Sequence, residues 1–176
     1  MSNHVSRAPT GTTKGSVTII GVADMAVIQA KTGVLTTHAL GSCIGITIFD
    51  PAAHVGGLLH YMLPQPSSPD QLTTRKAAMF ATTGIPLLFK TAYEAGATKA
   101  NLTACIAGAS NLIMDGAGFQ IGKRNHTMLR KLFFKNNIVV AAEDVGGSDA
   151  RTLTLDMKDG TVLIRSKGQE TALWKP

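Results

Sequence analysis

The sequence predicts an α+β protein in which largely antiparallel or mixed sheet carries two to three packed helices. Three observations lead there. Short runs rich in β-branched residues outnumber helical patterns. Most of these runs follow one another directly, parted only by turn residues, as antiparallel neighbours do. Two longer segments instead place apolar residues at helical spacing.

Residues 1–15 are polar and rich in Thr, Ser and Gly. They read as a flexible tail ahead of a single domain spanning 16–176. Residues 17–20 form the first strand. Val27-Ile28 and residues 34–37 follow, separated by Lys31-Thr32-Gly33. Residues 44–49 and 58–63 are the next strands, and 64–69 is a loop with three prolines and two serines. A helix is expected from about residue 85, since Pro86 suits a first turn. Ile85, Leu88, Phe89 and Ala92 share its apolar face, and Gly96 ends it. Residues 102–107 read as a buried strand. The second helix covers 125–136, with Met128, Leu129, Leu132 and Phe133 on one face. Lys123, Arg124, Arg130, Lys131 and Lys135 fall on the opposite face. Residues 138–142 form a strand, and 152–155 and 162–164 a closing hairpin around Lys158-Asp159-Gly160.

A length of 176 residues suits one domain. With 44% apolar and 16% charged residues, the chain can build one substantial core and is not disordered by composition. No apolar run approaches the roughly 20 residues of a bilayer span, and the start lacks a signal peptide's apolar stretch. The cytoplasm is therefore the expected compartment, without direct membrane insertion. The two cysteines, Cys43 and Cys105, read as free thiols. No close Cys or His pair points to a metal site. A net charge of +6 favours an acidic partner. Nucleic acid is not expected, because only two Tyr and one Trp are present and no basic–aromatic motif occurs.

Candidate chemistry concentrates in Thr37-His38-Ala39-Leu40-Gly41-Ser42-Cys43 and His60-Tyr61-Met62-Leu63-Pro64. Gly41-Ser42 permits close backbone approach beside the Cys43 sulfur. Asp50-Pro51-Ala52-Ala53 suits a four-residue turn joining the two strands. Pairing outward from its centre sets residue 43 opposite residue 60, with Cβ atoms roughly 5 Å apart. A one-residue slip would part them. An imidazole so placed can take the thiol proton or stabilise the thiolate. It needs its own orienting partner: Thr37 offers a hydroxyl or a carbonyl, and Asp50 is the nearest carboxylate. Taken singly, each residue has a plainer reading. A cysteine after Gly-Ser is more often a small buried residue, a histidine is more often packed or exposed, and a strand threonine is commonplace. Cys105, in an apolar strand, reads as core.

Together, the Thr37-x5-Cys43-x16-His60 spacing within these flanks resembles the chemoreceptor glutamine deamidase family, CheD. That family has a Gly-Ser-Cys nucleophile, a His in a His-x-Met-Leu-Pro segment, and an upstream Thr. The likeness extends from about residue 17 to 164. It takes in Gly21-Val22-Ala23-Asp24-Met25-Ala26-Val27, residues 80–88, Ile121-Gly122-Lys123-Arg124-Asn125, and Glu143-Asp144-Val145-Gly146-Gly147 through Arg151. Two segments depart from the family pattern: Gly108-Ala109-Ser110 stands for its usual Gly-Gly-Ala, and Phe80-Ala81-Thr82 for its frequent Tyr-Ala-Asp.

The resemblance implies a compact α/β sandwich and a glutaminase reaction on protein. The Cys43 thiolate would attack the carboxamide of a receptor glutamine, His60 would protonate the departing ammonia, and water would hydrolyse the thioester to glutamate. Thr37 would complete the site. No metal or organic cofactor is implied. Backbone N–H groups near Gly41 to Cys43, including Ser42, are candidate oxyanion donors. The implied partners are the cytoplasmic domain of methyl-accepting chemotaxis receptors and a CheC-type response-regulator phosphatase. Such receptor domains are coiled coils rich in Glu and Gln, which a face of Arg124, Lys131 and Lys135 would suit; a merely solvated face is the competing reading. A non-catalytic regulatory binder of the same system is the rival function, and loss of Cys or His would mark it. A papain-like enzyme would follow its cysteine with an aromatic residue and place its histidine far downstream, whereas here Ile44 follows and His60 is near.

Overall fold

Strands β4 (Ile44–Asp50) and β5 (Val55–Tyr61) are buried at every residue, which requires cover on both faces of their sheet. The computed structural model, which describes residues 15–111 and 120–176, supplies that cover as three layers. The first sheet comprises β1 (Val17–Ile19), β3 (Val34–Leu40), β8 (Arg151–Asp156), β9 (Val162–Ser166) and β10 (Gln169–Trp174), in that order. The second comprises β2 (Asp24–Gln29), β5, β4, β6 (Thr103–Gly108) and β7 (Val140–Val145). Among these strands of the described residues, only β1–β3 and β6–β7 pair in parallel. Helices α2 (Ala81–Glu94) and α3 (Ile121–Lys135) lie on the outer face of the second sheet. A short α1 (Asp70–Thr74) buries no residue. The fold is α+β, as expected. The first fourteen residues of the expected tail lie outside the described residues.

Alternation along β4 and β5 divides the core in two. Ile44, Ile46, Ile48, Leu59 and Tyr61 meet Ile85, Leu88, Leu129 and Phe133 under the helices. Phe49 and Leu58 meet Leu35, Leu40, Leu153 and Leu155 between the sheets. Strand β5 begins three residues before the expected start because Gly56 and Gly57 belong to it. A side chain on Gly56 would collide with Met157, and one on Gly57 would come within 2.9 Å of Leu88. These glycines let a sheet and a helix close on the same strand.

Both helices begin four residues earlier than periodicity predicts, and for tertiary reasons. The first N–H groups of α2 find their acceptors in the segment after β5: Ala81 donates to Leu63 and Thr82 to Pro64, at 2.9 and 3.2 Å. Pro86 therefore falls inside the helix, at the cost of one intrahelical bond. The first turn of α3 abuts the end of β6, where a Cβ on Gly122 would lie 2.6 Å from the Ala109 carbonyl oxygen. Gly96 follows the last turn of α2 at φ 103°, as a terminating glycine does. Strand β10 was not expected. It returns from β9 through Lys167-Gly168, both at positive φ (52° and 77°), the two-residue turn that matches strand twist.

Candidate active site

Thr37 and Leu40 are three residues apart, yet both side chains are buried while His38 and Ala39 are exposed. Strict alternation forbids this. A bulge in β3 allows it, with the register against β8 shifting between Thr37 and Leu40 and Ala39 at φ 57°. Thr37, in phase with Leu35, points from the first sheet into the inter-sheet layer, and the bulge lets Leu40 do the same. His60 points into the same layer from β5, flanked by Asp24 on β2 and Gly45 on β4. The two side chains meet at 2.7 Å, Thr37 Oγ1 to His60 Nδ1. Thr37 Oγ1 also lies 2.8 Å from the Ile20 carbonyl oxygen. A carbonyl only accepts, so the Thr37 hydroxyl donates to it and its oxygen accepts from Nδ1–H of His60. The proton is thereby assigned to Nδ1, leaving a lone pair on Nε2, which is buried without a hydrogen-bond partner.

Cys43 stands one residue before β4 and packs against the edge of the same inter-sheet layer. The expected pairing of residue 43 with residue 60 is corrected here: His60 pairs with Gly45. The loop is Pro51-Ala52-Ala53-His54, with His54 at φ 51° and Asp50 paired to Val55. Because the slip is an even number, Cys43 and His60 keep the same face and become diagonal rather than direct neighbours. Asp50, considered above as an orienting carboxylate, lies at the far end of β4. It accepts N–H groups of Ala52, Ala53 and Thr98 at 2.9, 3.0 and 2.9 Å.

The backbone around Cys43 is clamped from two sides. Its carbonyl accepts Ala109 N–H at 2.9 Å, and that of Gly41 accepts Ser110 N–H at 2.8 Å. Gly108, at φ 114°, lies so close beneath that an added Cβ would collide with the Cys43 carbonyl oxygen. From the helical side, the Asn125 amide nitrogen donates to the carbonyls of Ser42 at 2.9 Å and Met62 at 2.7 Å. Tyr61 donates its hydroxyl to the Asn125 carbonyl at 2.9 Å. Asn125 thus ties the residue before Cys43 to the strand end beyond His60. Sequence reasoning assigned Asn125 no role. The missed signal was a polar residue in line with Leu129 and Phe133 on the buried stripe of α3.

Burial dominates the electrostatics. It raises the Cys43 thiol above its ordinary value, only partly offset by the residue's own backbone N–H. Burial also lowers the His60 imidazole to about 4. Both shifts favour a neutral thiol and neutral imidazole at pH 7. Cys105 is buried between the sheets, and burial pushes its thiol up to about 11, consistent with a core residue. Of the expected oxyanion donors, Gly41 N–H is already bonded to Ala39 at 2.9 Å, whereas the N–H of Cys43 faces its own sulfur. Arg124, Lys131 and Lys135 are exposed on α3, the helix that carries Asn125.

A family model described as CheD chemotactic sensory transduction matches residues 62–166. A Syntrophus aciditrophicus protein named as a probable chemoreceptor glutamine deamidase CheD 1 is 43% identical over 150 residues, covering 85% of this chain and 94% of its own. The chain belongs to the CheD family. A Solibacter usitatus protein of the same description is 43% identical over 155 residues, 88% of this chain and 92% of its own. Another from Thermococcus kodakarensis is 36% identical over 148 residues, 83% and 90% of the two chains.

The departure from the CheD pattern at residues 108–110 has a local physical reading. Ala109 holds φ 55° where the family pattern carries glycine, a conformation that costs an L-residue about 1 kcal/mol or more. The Ser110 hydroxyl, in place of alanine, accepts from the buried Arg151 guanidinium at 2.7 Å and donates to the Asp149 carbonyl at 2.6 Å. Arg151 is in turn paired with Asp144 at 2.9 Å. The added hydroxyl anchors the segment whose strained backbone grips Cys43.

Two predictions follow from this geometry. Ala109→Gly should be neutral or stabilising by up to about 1 kcal/mol, while Gly108→Ala should cost at least about 2 kcal/mol; urea denaturation of both variants checks this. The second concerns pH. The folded pKa of His60 lies below its ordinary 6.5, so between these values the unfolded chain binds more protons than the native state. Stability present above pH 6.5 is therefore lost as pH falls towards about 4, by at most about 3 kcal/mol from this residue. His60→Gln should remove that part of the slope in urea titrations compared between pH 7 and about 4.5.

Proposed function

We propose that this chain is a protein-glutamine glutaminase that converts glutamine side chains of methyl-accepting chemotaxis receptors to glutamate, with Cys43 as nucleophile and His60 as its base. The observation that carries the assignment of roles is the Ile20–Thr37–His60 relay. It puts the proton on Nδ1 and leaves the Nε2 lone pair free in the layer that Cys43 borders. The activity is the one named for the relatives. An Nε2 lone pair is what a thiol needs if its proton is to leave as the sulfur attacks.

The steps balance without a cofactor. Cys43 Sγ bonds to the carboxamide carbon while its proton passes to Nε2. The N–H of Cys43, which faces the sulfur, is the proposed donor to the developing oxyanion. The imidazolium then gives its proton to the leaving nitrogen, ammonia departs, and a thioester remains. Water, giving a proton to Nε2, attacks the thioester, releasing glutamate and the thiol. Thr37 acts through His60 and is a positioning residue. The reaction belongs in the cytoplasm, where the receptor signalling domain lies; no helix among the described residues is long and apolar enough to cross a membrane. A CheC-type phosphatase is the second proposed partner.

Mass spectrometry of a receptor cytoplasmic fragment from the same organism tests the reading. Wild type should add about 1 Da per converted glutamine, the mass difference between –NH2 and –OH, and Cys43→Ala and His60→Ala should add none. Thr37→Val should slow conversion by roughly 10²-fold, with Thr37→Ser much closer to wild type. Tight binding of receptor or phosphatase with no conversion by wild type would replace the enzyme reading with that of a regulatory binder.

A further inference from the structure

The outward face of α3 is built against the helix's own electrostatics. Lys123 and Arg124 lie in its first turn, where the positive end of the helix dipole disfavours cations, and no side chain caps that end. Its sequence, IGKRNHTMLRKLFFK, contains no acidic residue. All five of its cations are exposed. Among the described residues only Arg130 has a carboxylate within ion-pair distance, Glu143 at 3.6 Å. Lys123 and Arg130, Arg124 and Lys131, and Thr127 and Phe134 are each seven residues apart, so they run as three rows along the axis, side by side across about 120° of the helix surface. In the last turn, Phe134 is 87% exposed between Lys131 and Lys135, and Val139, just past the helix end, is 82% exposed. An exposed aromatic ring among unpaired cations gives the fold nothing and has the composition of an interface anchor.

On the reading that the substrate is a protein glutamine, we propose that this face docks an acidic amphipathic helix of that same substrate. Phe134 seats on the helix's apolar stripe, and Lys123, Arg124, Lys131 and Lys135 meet its carboxylates. Charge complementarity and the straight, seven-residue spacing select a helical rod lying along α3. Continuity with the site comes from Asn125, whose amide bonds the carbonyls of Ser42 and Met62. Phe134 is nine residues further on, roughly 13 Å along the axis. One rigid element thus holds both the docking face and the shoulders of the thiol. Energy gained there is the same in ground and transition states, so it lowers KM and leaves kcat unchanged.

The test uses the full chain and a receptor cytoplasmic fragment from the same organism. By calorimetry, Phe134→Ala and the double variant Lys131→Glu/Lys135→Glu should each weaken binding at least about tenfold, and added NaCl should weaken wild-type binding. KM for glutamine conversion should rise by the same factor at constant kcat, and alkylation of Cys43 by iodoacetamide should keep its wild-type rate. Unchanged affinity in both variants, or no binding by wild type, would overturn the proposal. So would dissociation of a dimer by Phe134→Ala in light scattering, which would assign the face to a second copy of this chain. Binding that responds as expected, with no glutamine converted by wild type, would sink the deamidase reading and leave the docking surface standing.

Discussion

The hydrogen bond between Thr37 and His60 joins the two sheets through a largely apolar layer. An imidazole with no exposed surface survives there only if it is neutral and its N–H is satisfied. The relay to Ile20 meets both conditions with two short bonds. Everything nearby is shaped to permit it. Thr37 faces inward in phase with Leu35, and the bulge that follows it in β3 brings Leu40 into the same layer out of phase. Glycine at position 45, opposite His60, avoids a side chain that would come within 2.9 Å of Leu40. What the arrangement leaves unmet is Nε2, a buried acceptor without a donor, which costs about 1–3 kcal/mol. On the proposed mechanism that lone pair is the one that receives the thiol proton.

The proposed nucleophile is held by backbone rather than by side chains of its own. Cys43 follows a tight bend whose carbonyls are gripped by Ala109 and Ser110 on one side and by Asn125 on the other. Ala109 pays for that grip in backbone strain, and Gly108 and Gly122 give it room. Arg151, reaching Ser110, Asp144 and Asp149, carries the load to β7 and β8. Sub-ångström placement of a thiol is thereby made a property of both sheets and α3 together.

Most of the strands were legible because each is a β-branched run bounded by turn residues. The spacing of Thr37, Cys43 and His60 was legible as pattern. What the sequence hid lay where tertiary contacts overrule local preference. The helix starts at Ala81 and Ile121 depend on carbonyls of Leu63 and Pro64 and on close contact with Ala109, none of them nearby in sequence. The hairpin register depended on His54 adopting a left-handed conformation, which its residue type does not demand. The error cost nothing at the site because a two-residue slip preserves the face. Asn125 went unread because placing the helix start at 125 made it resemble an end residue, when it stands in the buried stripe four residues before Leu129.

Burial moves the two proposed reacting groups in opposite directions, the thiol up and the imidazole down, and both shifts oppose a thiolate–imidazolium pair at rest. A resting thiol is a poor target for oxidants and alkylating agents, an advantage for a half-buried cysteine beside a surface bend. The same desolvation that suppresses the ion pair strengthens every dipole aimed at a charge that forms only during reaction. On the proposed mechanism, a carboxamide carbon in front of Cys43 accepts the sulfur electron pair while Nε2 takes the thiol proton, so the negative charge develops on the oxyanion rather than on sulfur. Charge separation is thus tied to bond formation. An amide that fits the site raises the nucleophilicity of the thiol by reacting with it, and one that does not fit finds only a neutral sulfur.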